Sequence, residues 1–305
     1  MSLTSVAVRV PATTANLGPG FDCLGLALDL WNEVEVSSAG DHLQISIAGE
    51  GQSVLPINET NAIFQAMETY AHRHAKTLPA GIQIHCQNNI PLASGLGSSS
   101  AAAVAGILSS AALLDIPINK EDQLECATQI EGHPDNVAAC LLGGLIASVV
   151  AGDHVISSKI KIAPFPFVIV TPAFNFSTSQ ARAVLPVKVP HKDAVFNLSR
   201  VILLTEALRN GDIDLLTLAM QDQLHQPYRI PLIPGAIAAI SAAQNAGAVA
   251  VVISGAGPSL LAVLRNQSDI NGVASTMIDA FKQAGLSARV FTPKISKVGA
   301  SVKII

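Results

Sequence analysis

Charge is the scarcest commodity in this 305-residue chain. Asp, Glu, Lys and Arg make up 13% of it, about half the ~25% of an average soluble domain. The 18 basic and 22 acidic residues leave a net charge of -4. No Lys/Arg run could follow a phosphodiester backbone, which excludes nucleic acid as a partner. Aromatics are also few, at 4% with a single Trp. The four cysteines, Cys23, Cys86, Cys126 and Cys140, include no pair two to four residues apart, so the paired-cysteine zinc pattern is absent. Their sparse scatter suits small buried side chains in a reducing compartment.

What is plentiful is apolar surface. Hydrophobic residues reach 50% and the mean hydropathy is +0.44, which excludes a disordered chain and provides for a sizeable core. Two stretches, 77–114 and 230–264, contain no Asp, Glu, Lys or Arg. A spanning helix needs about 20 consecutive, mostly apolar residues. The first stretch is interrupted by Gln87, Asn88, Asn89, Pro91 and a Gly/Ser cluster, the second by Pro231, Pro234, Gln244, Asn245 and several glycines. The N-terminus lacks the basic-then-apolar signal pattern. The expectation is a soluble, cytoplasmic protein that uses no membrane.

Alternation predicts strands at 5–10, stopped by Pro11, and at 31–36 and 43–47, the last two joined as a hairpin through Gly40 and Asp41. Helices are expected after Asn61, over 98–114, 120–130 and 135–142, with strands at 82–86 and 145–150. The pattern weakens through Gly152, Asp153 and Pro164, which suggests two domains, 1–157 and 158–305. In the second, a strand at 167–171, helices at 192–210 and 235–246, strands at 249–254 and 260–264, a helix at 270–284 and a strand at 289–292 are expected; with one of the first two helices set aside, they make a β-α-β-β-α-β skeleton, the ferredoxin-like arrangement. The fold class is therefore α+β.

Four segments carry potential chemistry. The strongest is 91–101, PLASGLGSSSA, running straight into an Ala-rich helix. Its glycines permit close backbone approach, and its serines stand at a helix N-terminus, where free N–H groups and the helix dipole favour an anion. No Gly-Lys-Ser/Thr follows, so this is no Walker A loop, and Ser100 occupies the place of the third glycine of a dinucleotide fingerprint. The second segment, 11–22, PATTANLGPGFD, places Asn16 and Asp22 in a rigid turn that could meet an amine. The third, 131–136, EGHPDN, groups Glu131, His133, Asp135 and Asn136; helix capping competes with function for the last two. The fourth, 254–259, SGAGPS, is a glycine turn between two apolar strands. It reads as a plain hairpin or as a backbone wall beside a ligand. Glu125, on the preceding helix, has the chemistry of a magnesium carboxylate.

Together with 178–186, TSQARAVLP, these segments resemble the GHMP small-molecule kinases, in order and over nearly the whole chain. Within that family the resemblance is greatest to the branch acting on L-homoserine. It implies an N-terminal α+β nucleotide-binding domain, a ferredoxin-like C-terminal domain and substrates held between them. The implied reaction is phosphorylation of the L-homoserine side-chain hydroxyl by ATP, with Mg²⁺, in a homodimer. By matching position, Pro91, Leu92, Ala93, Ser94, Gly95, Leu96, Gly97, Ser98, Ser99, Ser100 and Ala101 go to the ATP phosphates and Asn61 to the adenine. Ser99 and Glu125 go to the metal, and Asp22, Arg182, Arg229 and Gly257 to the amino acid. Asn16, His133, Asp135 and Asn136 surround the reacting hydroxyl. No Lys lies in the 91–101 loop, which puts weight on backbone amides and the metal.

Overall fold

The computed structural model describes residues 5–305. In the first part of the chain, strands β1 (Ser5–Asn16), β2 (Gly20–Ser37) and β3 (Leu43–Gly49) precede helix α1 (Ala62–Arg73) and β4 (Ile82–Asn88). Helices α2 (Ser98–Leu113), α3 (Lys120–Glu131) and α4 (Asp135–Leu142) follow, then strands β5 (Leu145–Ala151) and β6 (His154–Ile160). The second part runs β7 (Phe167–Pro172), α5 (Thr178–Ala183), α6 (His191–Asn210), α7 (Ile213–Ala219), α8 (Gln226–Arg229), α9 (Ala236–Asn245), β8 (Ala250–Ile253), β9 (Leu260–Val263), α10 (Ile270–Gln283), β10 (Ala288–Phe291) and β11 (Ser301–Ile304). Among the described residues no helix is long and apolar enough to cross a membrane.

The first sheet has seven strands in the order β11-β1-β2-β4-β3, with β5 and β6 branching from β2. Pro11 does not end β1. The register shifts between Pro11 and Ala12, and such a bulge is where a strand tolerates a residue without an N–H. Nor do the strands at 31–36 and 43–47 form a hairpin: β4 lies between them, antiparallel to β2 and parallel to β3. Its alternate residues Ile82, Ile84 and Cys86 are fully buried whereas every residue of β3 keeps some exposure, as the inner and the edge place require. The parallel β3–β4 pair needs a helical crossover, which α1 supplies. Its buried residues Ile63, Phe64, Met67 and Tyr70 join the core beside Val104, Ile107 and Leu108 of α2.

The weak pattern at Gly152 and Asp153 marks the turn of the β5–β6 hairpin rather than a domain linker, and Ile160 still pairs with Leu145. A boundary at 157/158 therefore cuts a strand. The chain crosses over 161–166 and later returns, β11 pairing along β1 from Val6↔Ile304 to Arg9↔Ser301. The second sheet is antiparallel in the order β10-β7-β9-β8. That is the ferredoxin-like order, with α5 to α8 inserted ahead of α9. One face, carrying Val168, Val170, Leu260 and Ala262, packs on α9 and α10. The opposite face, carrying Phe167, Ile169, Leu261 and Val263, shares the main core with Leu204 and Leu208 of α6 and Leu216 of α7.

Backbone hydrogen bonds join the two parts where the motifs meet. Gly255 N–H donates to Ala15 O (3.1 Å) and Ser259 N–H to Ser94 O (3.2 Å). Ser254 Oγ lies 2.8 Å from both Thr14 Oγ1 and Gly95 O. Gly95 has φ +80°, and a Cβ there would lie 2.1 Å from Ser254 O. Left-handed strain and a collision with backbone thus coincide at one position. Gly95→Ala is expected to cost about 2 kcal/mol or more, read as a lowered midpoint in thermal or urea unfolding. A melt matching the parent protein would mean that the two loops are not in contact.

Candidate active site

The four motifs converge on one polar cleft. It is lined by Asn16 and Asp22 from the turn between β1 and β2, and by Ala93 to Gly95 and Gly97 to Ser100 from the loop entering α2. Glu131, His133, Asp135 and Asn136 come from the α3–α4 junction, Thr178 and Arg182 from α5, Arg229 from α8, and Gly255 and Ala256 from the glycine turn.

Each segment arrives there for a local reason. Gly97, at φ +72°, caps α2 without a side chain, and a Cβ on it would lie 2.0 Å from Thr13 Oγ1. The first intrahelical acceptor bond runs from Ala101 N–H to Gly97 O. The N–H groups of Ser98, Ser99 and Ser100 are therefore unspent within the helix and sit at the positive end of its dipole. Helix α3 ends at Gly132, φ +80°, which turns the chain so that Glu131 and His133 both reach the cleft. Asn16 and Asp22 each have positive φ, 71° and 55°. The Asn16 side chain holds this turn by donating Nδ2–H to Gly255 O (2.7 Å) and accepting Asp22 N–H on Oδ1 (3.0 Å).

The hydrogen bonds fall into three groups. Ser99 Oγ and Ser100 Oγ donate to the two oxygens of Glu131, at 2.5 and 2.6 Å. His133 Nδ1 lies 2.7 Å from Asp135 Oδ1, which also accepts Asn136 N–H at 2.7 Å, while Asn136 Oδ1 accepts Thr13 Oγ1–H at 2.8 Å. Arg182 forms a two-pronged pair with Asp22, both contacts 2.9 Å.

Arg229 differs from Arg182. It is 2% exposed, and among the described residues it has no carboxylate within ion-pair distance. Its Nε–H donates to Ala181 O (3.0 Å) and Nη1 approaches His225 Nδ1 (3.4 Å). Burial, the main cause, lowers its pKa to about 10, so it is still a cation at neutral pH. A buried, unpaired guanidinium is costly, and its presence at a cleft wall points to an anionic ligand.

A second, apolar cavity of about 310 Å³ adjoins the first and shares Ala93, Ser98 and Ser99 with it. Val10, Val34, Ile47, Leu55 and Ile63 are among its walls, the lining that suits a flat heteroaromatic ring. The phosphate-type loop thus stands between an apolar and a polar chamber.

Of the residues singled out in the sequence, several lie elsewhere. Glu125 is not beside Ser99: its carboxylate meets Arg73 Nη2 (3.1 Å) and His154 Nδ1 (2.8 Å). The carboxylate at the serines is Glu131. Gly257 sits behind the turn, packed towards Ile233, Ile253 and Phe176, and Gly255 and Ala256 form the wall. Asn61 lines the apolar cavity, but its amide is committed to Ile63 N–H (3.0 Å) and Pro56 O (2.8 Å) as the cap of α1. Leu92 and Ala101 face the apolar cavity. Leu96 is core, and Pro91 serves through its carbonyl, which accepts Ser94 Oγ–H (2.8 Å). Thr178, inside the 178–186 segment, is a cleft residue the sequence reading passed over.

The His133–Asp135 pair has a pH signature. Burial works against the imidazolium, but the hydrogen bond and charge of Asp135 outweigh it and the His133 pKa is raised. The folded protein then holds this proton more tightly than the unfolded chain. The stabilisation is complete below about pH 6.5, the usual histidine value, and is lost as the pH rises through the elevated value. An NMR titration of His133 is expected to show a midpoint above the free-histidine value that falls in Asp135→Asn. A midpoint unmoved by that substitution would remove the pairing.

Comparison with known proteins bears on this geometry. The model of the GHMP kinases N terminal domain matches residues 61–144, and that of the GHMP kinases C terminal domain matches 204–285. A homoserine kinase of Moorella thermoacetica is 44% identical, covering 93% of this chain and 95% of its own. One from Desulfitobacterium hafniense is 40% identical over 97% and 99%. The crystal structure of a homoserine kinase from Cytophaga hutchinsonii superposes with a TM-score of 0.86 at 31% identity, covering 98% of this chain and 97% of that one.

Proposed function

This chain belongs to the GHMP kinase family and phosphorylates the side-chain hydroxyl of L-homoserine with ATP to give O-phospho-L-homoserine, and we propose that the cleft divides that task among the residues just described. The observation carrying the assignment is Arg229, a buried cation with no carboxylate within ion-pair distance among the described residues, in a cleft that a phosphate-type loop also lines.

The substrate is a zwitterion with a hydroxyl at its far end. Its carboxylate completes Arg229, and its ammonium meets Asp22, with Arg182 as the second guanidinium at this end. A planar guanidinium fork suits a carboxylate better than a lysine would. The adenine occupies the apolar cavity. The triphosphate runs along Ser98 to Ser100, where three unspent N–H groups and the helix dipole receive negative charge without a lysine.

Magnesium fits the chemistry of the donor set at the serines. Ser99 Oγ, Ser100 Oγ and Glu131 are hard oxygens, and among the described residues no cluster of three or more His, Cys, Asp or Glu forms a complete metal cage. One carboxylate with substrate phosphates is the usual share of a protein in binding this ion. Ser99 and Glu131 would hold it, and the ion would neutralise charge developing on the transferred phosphoryl group. Glu125 plays no part.

Phosphoryl transfer through a loose transition state asks mainly for alignment and charge stabilisation. His133 and the Asn136 N–H both hold Oδ1 of Asp135, and Asp135 with Asn16 orients the attacking hydroxyl. Its proton leaves late, towards Asp135, so positioning contributes more than basicity.

Arg229→Ala is expected to raise the KM for homoserine by about a hundredfold, the worth of a charge-assisted hydrogen-bonded pair, with the KM for ATP nearly unchanged. Unchanged homoserine kinetics would sink the carboxylate role. The metal assignment separates two glutamates: Glu131→Gln is expected to raise the Mg²⁺ concentration needed for half-maximal turnover at least about tenfold, and Glu125→Gln to leave it alone. The reverse result would restore Glu125.

A further inference from the structure

Among the buried titratable side chains that the mechanism does not use is a histidine beside Arg229. His225 is fully buried, one turn before Arg229 in α8. Its Nε2 lies 2.8 Å from Gly18 O. A carbonyl only accepts, so Nε2 carries the proton. Burial, the largest influence, lowers the His225 pKa despite the nearby Asp222 carboxylate, so the ring is neutral. Nδ1 is then an unprotonated acceptor, and the group it faces is Arg229 Nη1 at 3.4 Å. The ring also stacks on Phe21, centroids 5.1 Å apart, and Phe21 in turn lies 5.1 Å beneath the Arg229 guanidinium.

This ring is fixed from below as well. The backbone N–H groups of His225 and Gln226 donate to Asp222 Oδ2 (3.0 and 2.7 Å), and Asp222 Oδ1 accepts Asn197 Nδ2–H (2.7 Å). Gly18 approaches so closely that a Cβ would lie 2.2 Å from Met220 O. The turn carrying Asp22 and the segment carrying Arg229 are thus locked to one another, and His225 bonds to both.

We propose that His225 is a positioning residue for the homoserine kinase reaction: its Nε2–H on Gly18 O fixes the ring and its tautomer, and Nδ1 orients the Arg229 guanidinium at the carboxylate subsite. The inference rests on the carboxylate role of Arg229. His225 touches no substrate and acts through Arg229.

Two substitutions separate the ring's two ends. In His225→Asn the amide oxygen stands near the place of Nδ1 and still accepts from Arg229. In His225→Gln the amide nitrogen reaches towards Gly18 O, but the acceptor for Arg229 is lost. The expected result is an increase of about tenfold in homoserine KM for the Gln variant, the worth of one hydrogen bond to a charged group. The Asn variant should stay within about threefold of the parent protein, and the KM for ATP should be steady in both. In an Arg229→Ala background, His225→Gln is expected to add no further loss, because its effect passes through the missing guanidinium. Equal damage by both substitutions, a parallel rise in the KM for ATP, or a full additional loss in the double variant would each overturn the proposal and leave His225 as packing alone. If Arg229→Ala itself left homoserine KM unchanged, the carboxylate reading would fail first. A normal Arg229 effect with a parental Gln variant would refute only the role of His225.

Discussion

Everything in the cleft depends on a place where two loops meet with no room for a side chain between them. Gly95 touches the carbonyl of Ser254, Gly97 abuts the hydroxyl of Thr13, and Gly255 donates to Ala15. A methyl group at Gly95 or Gly97 would lie about 2 Å from a heavy atom and push the segments apart. Because the gap is closed by backbone, the helix N-terminus of α2, the β1–β2 turn and the C-terminal domain's glycine turn occupy fixed relative positions. Catalysis by alignment requires this, since misplacement by about 1 Å can cost a hundredfold in rate. The core extends the constraint: one face of the second sheet packs into the first domain, and the other face carries the cluster that holds Ala181 of α5 and Ala256 of the glycine turn.

On the proposed assignment, that arrangement also accounts for how a chain with so little charge would handle a triphosphate. The unspent N–H groups of Ser98 to Ser100 are partial charges fixed in direction by the helix, and they need no long side chain to be ordered around the ligand. On the assignment proposed here, the formal charges are kept for the other chamber and the metal. Asp22 and Arg182 neutralise each other, Glu131 is held between two serine hydroxyls, and Asp135 is braced by His133 and Asn136 N–H. Arg229 alone is left without a carboxylate partner among these groups.

The sequence made the loops legible because their chemistry is local. Glycine and serine runs ahead of an Ala-rich helix state their purpose within a dozen residues, and the ferredoxin-like order of the second domain follows from alternation and breakers. What could not be read was whatever depends on direction or distant pairing. Glu125 and Glu131 stand six residues apart on one helix, which is about 240° of rotation, so one faces the cleft and the other faces Arg73. Strand β11 is four residues whose partner lies almost 300 positions away. The misplaced hairpin had the same origin: turn signals at Gly40 and Asp41 are satisfied equally when the next strand lies one place further out, and only the burial of β4 decides. His225 announced nothing, since a lone histidine between Leu224 and Gln226 acquires meaning only from the carbonyl and guanidinium that fold against it.

Selectivity follows from where the charges are buried. A site that merely measures size separates analogues by a few kcal/mol at most, whereas one whose buried polar groups are left unpaired by the wrong ligand can separate them by about four orders of magnitude. On the assignment proposed here, a neutral alcohol of the right length would fill the cleft yet leave Arg229 buried without an anion. A hydroxy acid lacking the amine would satisfy Arg229 and leave Asp22 held by Arg182 alone. Only a ligand with both charges, spaced to match the distance between Asp22 and Arg229, can pair with each while its hydroxyl faces Asp135. The rigidity that joins those two residues through Phe21, Gly18 and His225 is therefore what turns two ionic contacts into a measure of one molecule.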